Sequence, residues 1–447
     1  MNSILQVKDK VIAKLQNIIE KESKYSNKLS VIFLVLFVVE LCIGYAMCNK
    51  YYLNYNFTHN VGVTARFFKI LPLIIFIVVA YLFSMPKIID KFYSLYFYFF
   101  AVFTSIPLVI VYIFSGLADS KNVLVYIYTI VILVAIGNYA ISKIDIKVYQ
   151  IKLSEKQFWS IIIAFCVLSF LYVIYKLGIP DLKGSISDVY GVRLAYRKLT
   201  NRYVDYLVQW LGNIIIPFLF AYLLKKKKNK YLICPILMQM LLYSYTAYRS
   251  LLVTLILAPL FALMLSNGLK RFIIEKAIVG AIFIGIIAGC VKKYTIFLQI
   301  VLRIFLWPSL IAMEYYDFFW MYPKMYLSHS ILGHFISNKY LLEPPFYLAS
   351  LYYNKPEMRL NTTWYADAYM NFGFLGIISF AVLLFAILVI IKSMEKKDSY
   401  LVSSLLFGGI IALFNAPLLT TILTHGLGIS LLLAYLLPST INAKGKI

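Results

Sequence analysis

Apolar residues in this chain come in long unbroken runs, and the polar residues sit between the runs more than inside them. A run of roughly twenty apolar residues crosses the ~30 Å hydrocarbon layer of a bilayer as a helix. Strands of a membrane barrel would alternate apolar and polar positions instead, and backbone in lipid must satisfy its own hydrogen bonds. The pattern therefore predicts an all-α, polytopic integral membrane protein with about twelve transmembrane helices. They fall near 29–48, 67–84, 92–114, 122–142, 157–178, 205–224, 231–248, 250–267, 273–291, 372–392, 400–417 and 422–438. Ahead of them Ile4, Val7, Val11, Leu15 and Ile18 share one helical face, with Lys8, Lys10, Lys14 and Lys21 elsewhere. Residues 1–28 thus read as an amphipathic helix on the cytoplasmic leaflet, and 29–447 as the membrane domain.

Composition agrees with that class. At 62% hydrophobic and 14% charged residues, the chain has too little polar surface to cover a soluble core. A net charge of +24 would suggest nucleic acid in a soluble protein. Here the lysines cluster in short loops, which points to membrane orientation and anionic membrane lipids, with no nucleic-acid partner. An inside N-terminus places Lys143, Lys147, Lys152, Lys156, Lys225 to Lys228, Lys270, Arg271, Lys392, Lys396, Lys397, Lys444 and Lys446 in the cytoplasm. The larger share of the 43 Lys and Arg then lies inside, on shorter loops, so both termini are expected there. The first apolar run, Leu29 to Cys48, is full length and lacks a small-residue cleavage site, so no cleavable signal is expected. Cys42, Cys48, Cys166, Cys234 and Cys290 show no CxxC spacing and read as packing residues.

One apolar stretch resists. If Tyr294 to Phe319 crossed alone, every later loop would change sides and the Lys-rich C-terminal loops would lie outside. Arg303 and Pro308 are expected to interrupt it, which makes it a re-entrant or interfacial helix of the outer leaflet within one large external loop. That loop covers residues 292–371, and a second enlarged external loop covers 179–204. Long structured loops are usually functional, and two on one side can meet over one cavity.

Both carry unusual polar content. The first has Arg193, Arg197, Lys198 and Arg202 with Asp181, Asp188 and Asp205; the second has Arg303, Glu314, Asp317, His329, His334, Glu343, Glu357, Arg359 and Asp367. His59, His329, His334 and His425 all fall outside in this topology. Cytoplasmic charge is nearly all Lys, whereas Arg gathers outside, Arg271 excepted. The planar guanidinium fork suits phosphate and carboxylate, so external Arg suggests an anion site. Ion pairs within the loops, such as Arg193 with Asp188, are the plainer alternative. Arg249, at a tight external turn, is a functional candidate or a residue snorkelling to head groups. Glu40 suggests an ion pair with an arginine as readily as a chemical role. Leu341-Leu342-Glu343-Pro344-Pro345-Phe346 reads as a turn between two interfacial helices, a lid or a structural bend.

The segment Asn361 to Gly376 (NTTWYADAYMNFGFLG) ends the large loop and leads into the next span. It resembles the polar-to-NFGxxG span start of bacterial polysaccharide repeat-unit polymerases, the Wzy type of O-antigen and capsule assembly. TAYRSLLVTLIL, Thr246 to Leu257, is similar to the Gly/Ser-Arg span start of the same proteins. The likeness covers nearly the whole chain as architecture and only these short stretches as sequence. An Arg-x10-Gly pattern is missing, since Arg202 to Gly212 is one residue short, and His329-Ser330-Ile331-Leu332-Gly333 only loosely approaches the signature of O-antigen ligases.

The resemblance implies a glycosyltransferase of the bacterial plasma membrane with a GT-C-like architecture. Its substrates would be undecaprenyl diphosphate-linked oligosaccharides, joined on the outer face by glycosyl transfer, with flippase and chain-length regulator proteins as partners. Arg193, Arg197, Arg249, Arg303 and Arg359 are the candidates to bind the substrate diphosphate. Asp367, Glu314, Asp317, His329 and His334 are the candidates to take or orient the acceptor hydroxyl. Trp307, Trp320 and Trp364 could stack on sugars, although aromatic residues also belt membrane interfaces. No acidic pair has metal-ligand spacing, so neither metal nor cofactor is expected. A lipid-linked oligosaccharide flippase or other transporter is the rival from another class, but no matching halves appear. An O-antigen-type ligase is the chemically nearer alternative.

Overall fold

The protein is described from a computed structural model, over residues 26–51, 63–117, 121–148, 153–180, 188–330, 335–337 and 340–438. The expected amphipathic stretch up to residue 25, and His59, Asp181 and His334, lie outside these residues. What is described is almost entirely helical, with one two-residue strand pair, β1 (Ile88–Ile89) antiparallel to β2 (Leu269–Lys270).

Among the described residues ten helices are long and apolar enough to cross a membrane. They are α1 (Ser26–Tyr51), α2 (Val63–Leu82), α3 (Phe92–Ser115), α4 (Lys121–Lys143), α5 (Glu155–Leu177), α7 (Arg202–Lys225), α9 (Arg249–Ser266), α10 (Arg271–Cys290), α11 (Tyr294–Met321) and α13 (Trp364–Met394). Nine match expected spans. Three others come out short: α8 (Ile233–Thr246), α14 (Ser399–Ala412), and a last segment broken into α15 (Leu418–Leu423) and α16 (Leu427–Leu436). Gly426, at φ 79°, makes the break between the last two. Two helices lie in the enlarged loops, α6 (Val189–Leu199) and α12 (Pro344–Tyr353).

In the tenth candidate one expectation is corrected, that of an interrupted helix. Tyr294 to Met321 is one helix of 28 residues, and neither Arg303 nor Pro308 interrupts it. The reason recurs elsewhere. Residues 298–306 are wound as π-helix immediately before Trp307-Pro308, as are Ala101–Ser105 before Ile106-Pro107 and Leu211–Ile215 before Ile216-Pro217. Proline lacks an N–H and its ring collides with the carbonyl four residues back. Widening the preceding turns to i→i+5 bonding moves that carbonyl aside, so the helix continues without a sharp kink.

A second correction concerns Glu343-Pro344-Pro345. The two prolines do not form a turn between helices; they are the first two residues of α12. Their fixed φ suits a helical first turn, where the missing N–H would have no intrahelical partner.

The chain divides into two compact units. The first holds α1, α2, the latter part of α3, α10 and the first part of α11. Its core includes a buried charge cluster: Arg271 pairs with Glu275 (3.2 Å), donates to the Tyr81 and Met85 carbonyls, and meets the Ser30 hydroxyl (2.9 Å). Tyr81 and Ser30 also donate to Glu275. That network gives the exceptional Arg271 a structural duty. Glu40 is buried in the same unit and makes no ion pair among the described residues.

The second unit holds the remaining helices, with α9 packed on α14 and α4 on α13. One of its ends is rich in lysine. Lys392 donates to the carbonyls of Ile141, Ser142 and Ile144, Lys396 meets Asp145 (2.5 Å), and Lys225 meets Asp398. Lys397 donates to the carbonyls of Ala434, Tyr435 and Leu437. These segments were expected to share one side of the membrane, and here they share one end of the unit.

Candidate functional site

The other end of the second unit is built on α13. This helix is two helices joined at Gly373, whose φ of 65° and ψ of −144° are open essentially to glycine alone. The inner piece runs from Trp364 to Phe372, the outer from Phe374 to Met394. Gly376 permits the sharp join, because a Cβ there would run into the Ala368 carbonyl oxygen. Asn371 holds the join from the side: its Nδ2 donates to the Asp367 carbonyl (2.9 Å) and its Oδ1 accepts from Leu327 N–H (2.7 Å). Met325 and Tyr326 N–H bond the Met370 and Asn371 carbonyls (3.0 and 3.3 Å). Tyr326 and Leu327 both adopt left-handed φ, 51° and 64°, a conformation that L-residues keep only when their surroundings impose it. Each polar or glycine position of Asn371-Phe372-Gly373-Phe374-Leu375-Gly376 thus has its own physical duty.

Around this clamp lie buried acids. Asp367 is 2% exposed, and its Oδ1 stands 3.7 Å from His329 Nε2 and 3.4 Å from Asn371 Nδ2. His329 Nδ1 is buried without a hydrogen-bond partner among the described residues. Glu314 is fully buried and accepts a hydrogen bond from Tyr353. Tyr352 donates to Asp317 (2.9 Å) and to the Glu314 carbonyl (3.3 Å), and burial, with those two acids after it, pushes its phenol up. Tyr315 donates to the Leu360 carbonyl (2.9 Å) and lies within electrostatic reach of Asp367, Arg359 and Glu314 alike. Four of the five predicted acid-base residues are therefore neighbours. Rings of Tyr126, Tyr316 and Tyr369 pack tilted or edge-on against one another beside them, with centroids 4.6 to 5.3 Å apart.

The arginines are not gathered in the same way. Arg193 donates to the Ala247 carbonyl (3.0 Å) and lies over the Tyr248 ring, which closes the C-terminus of α8. It does not pair with Asp188, whose carboxylate instead caps α6 through Gly191 N–H. Arg197 and Arg249 are exposed on this patch. Arg359 is largely exposed, 4.0 Å from Glu343 and over the Phe346 ring. Burial, and after it the Arg359 charge, holds the His425 imidazole, in the loop between α15 and α16, below its ordinary range. Arg303 is exposed on the first unit.

A different cation sits at the clamp. The ammonium of Lys324 donates to the Phe319 carbonyl and stands 4.0 Å from the centre of the Tyr369 ring. Its Cε is 3.6 Å from where a Cβ on Gly373 would be. Burial holds this amine down at about 8. Nothing about its spacing marks it in the sequence; what could have drawn attention is a lone Lys between two aromatic-rich stretches. Among the described residues no group of three or more His, Cys, Asp and Glu converges to hold a metal ion.

The fold and the apolar helices define the chain as a multi-pass α-helical membrane protein. Comparison with protein-family models, curated proteins and solved structures finds no match that would narrow the class further.

Proposed function

We propose that this protein polymerises undecaprenyl diphosphate-linked oligosaccharide repeat units at the outer face of a bacterial plasma membrane, for an O-antigen- or capsule-type polysaccharide. One observation carries the reading: the segment that resembles such polymerases, Asn361 to Gly376, coincides with the place where Asp367, His329, Glu314 and Asp317 are brought together. In this reading the acids face outward, because α13 runs from Asp367 to Lys392, which belongs to the Lys-rich segments that the positive-inside rule assigns to the cytoplasm.

In this reading an acceptor sugar hydroxyl attacks the anomeric carbon of the growing glycan. Its oxygen forms the new glycosidic bond while the bond from that carbon to the diphosphate oxygen breaks, and the diphosphate leaves with the electron pair. Asp367 takes the hydroxyl proton. It suits that role because Asn371 and the backbone clamp hold it in place, and among the described residues no Tyr hydroxyl occupies it as Tyr353 occupies Glu314. His329 orients the carboxylate.

The direct test uses purified protein in lipid nanodiscs with a lipid-linked oligosaccharide as sole substrate. Products of two and more repeat units are expected from the native chain and essentially none from Asp367→Asn. Equal product from both would contradict the assignment of Asp367.

A further inference from the structure

The arginines that sequence chemistry favours for a diphosphate are exposed or engaged in capping, whereas the cation at the strained clamp is a lysine. We propose that Lys324 is the cation of an anion-binding subsite at the clamp that also holds Asp367, taking the diphosphate of a lipid-linked substrate. The identity of that anion rests on the polymerase reading; the existence of the subsite does not.

Three observations support it. Lys324 is partly buried, yet it forms no ion pair with a carboxylate among the described residues; its contacts are the Phe319 carbonyl and the face of Tyr369. An ammonium has three donors, and a carbonyl and a ring face satisfy it less well than an anion does. Its position is also fixed from both sides. Lys324 directly precedes the residues whose N–H groups bond Met370 and Asn371, and it borders the Gly373 join where any side chain is absent. The strained φ values at Tyr326 and Leu327 follow immediately, and strain of this kind gathers where a side chain must be held for a purpose. Finally, Asp367 lies four residues before Asn371 on the same inner helix and is bonded to it, so one clamp positions both the cation and the acid. The partial desolvation that lowers the amine also strengthens its attraction for an arriving anion.

The test is diphosphate binding by the full chain in nanodiscs, with farnesyl diphosphate and inorganic pyrophosphate as the probes. Farnesyl diphosphate should bind the native protein, tenfold or more weaker to Lys324→Gln, and near native strength to Lys324→Arg. Lys230→Gln, at the Lys-rich end, is the control for lost charge and should bind as the native chain does. Should Lys324→Gln fail to fold, protection of Lys324 in the native protein from an amine-acylating reagent, read by mass spectrometry, makes the same test. Unchanged binding by Lys324→Gln, or no protection by farnesyl diphosphate, would overturn the subsite. Inorganic pyrophosphate binding as tightly as farnesyl diphosphate would overturn its lipid-linked character. None of these measurements uses polymerisation. A chain that binds the diphosphate yet leaves glycan length unaltered would sink the polymerase reading and leave the subsite standing.

Discussion

Asp367 and Asn371 act as a pair, and substitutions at the two should separate chemistry from architecture. Asp367→Asn keeps the shape and removes the proton acceptor, so glycan extension should fall by about 10²- to 10⁴-fold, the usual worth of a general base, with folding intact. Asn371→Ala leaves Leu327 N–H without its acceptor and should cost about 1–3 kcal/mol of stability, measurable by denaturation in detergent. At the Lys-rich end, Glu395 is buried, which pushes its carboxyl up to about 8 from 4.5 even though Phe92 N–H donates to it at 2.8 Å. Lys91 works against the shift and Asp90 with it. A carboxyl raised in the folded state contributes stability that is full below about pH 4.5 and lost as pH climbs through about 8. Melting temperature should accordingly decline across that window, and Glu395→Gln should flatten the decline. At this scale the acids were legible in sequence because charged residues are rare in so apolar a chain. The duties of individual cations were not, since whether an arginine caps a helix, as Arg193 does, depends on a partner 54 residues away.

Helices were legible to within a few residues wherever an apolar run was long, because one run satisfies both the bilayer and the backbone. Proline misled twice. Pro308 does not end α11, because π turns ahead of it absorb the clash, and Pro344-Pro345 opens a helix where a turn was expected. Both outcomes depend on local bonding that residue identity alone leaves open. The kink at Gly373 was half legible: the NFGxxG string was visible, but its left-handed φ and the inner helix Trp364 to Phe372 were not, since the apolar run reads straight through. Gly373→Ala should cost at least about 1–2 kcal/mol from backbone strain alone. Gly376→Ala should be worse, because its methyl would meet the Ala368 carbonyl. Thermal unfolding of both variants in detergent checks the order, and equal stability of all three proteins would show that the join is not what these glycines serve.

For the whole molecule, membrane class and the gathering of lysines at one end of the second unit follow from composition and charge spacing, which are global properties of the chain. Which short helices reach across, and which loop residues converge on α13, are set by contacts between segments tens to hundreds of residues apart, and no local pattern encodes those. The polymerase reading is a claim about the whole chain, and the length of the glycan it makes possible is the most direct measure of it. In a strain lacking this gene, gel-resolved surface glycan should show single repeat units on the final acceptor, and the native gene should restore the ladder. Long chains retained on the carrier lipid would indicate a ligase, short units trapped in the cytoplasmic leaflet would indicate a flippase, and an unaltered ladder would contradict the account altogether.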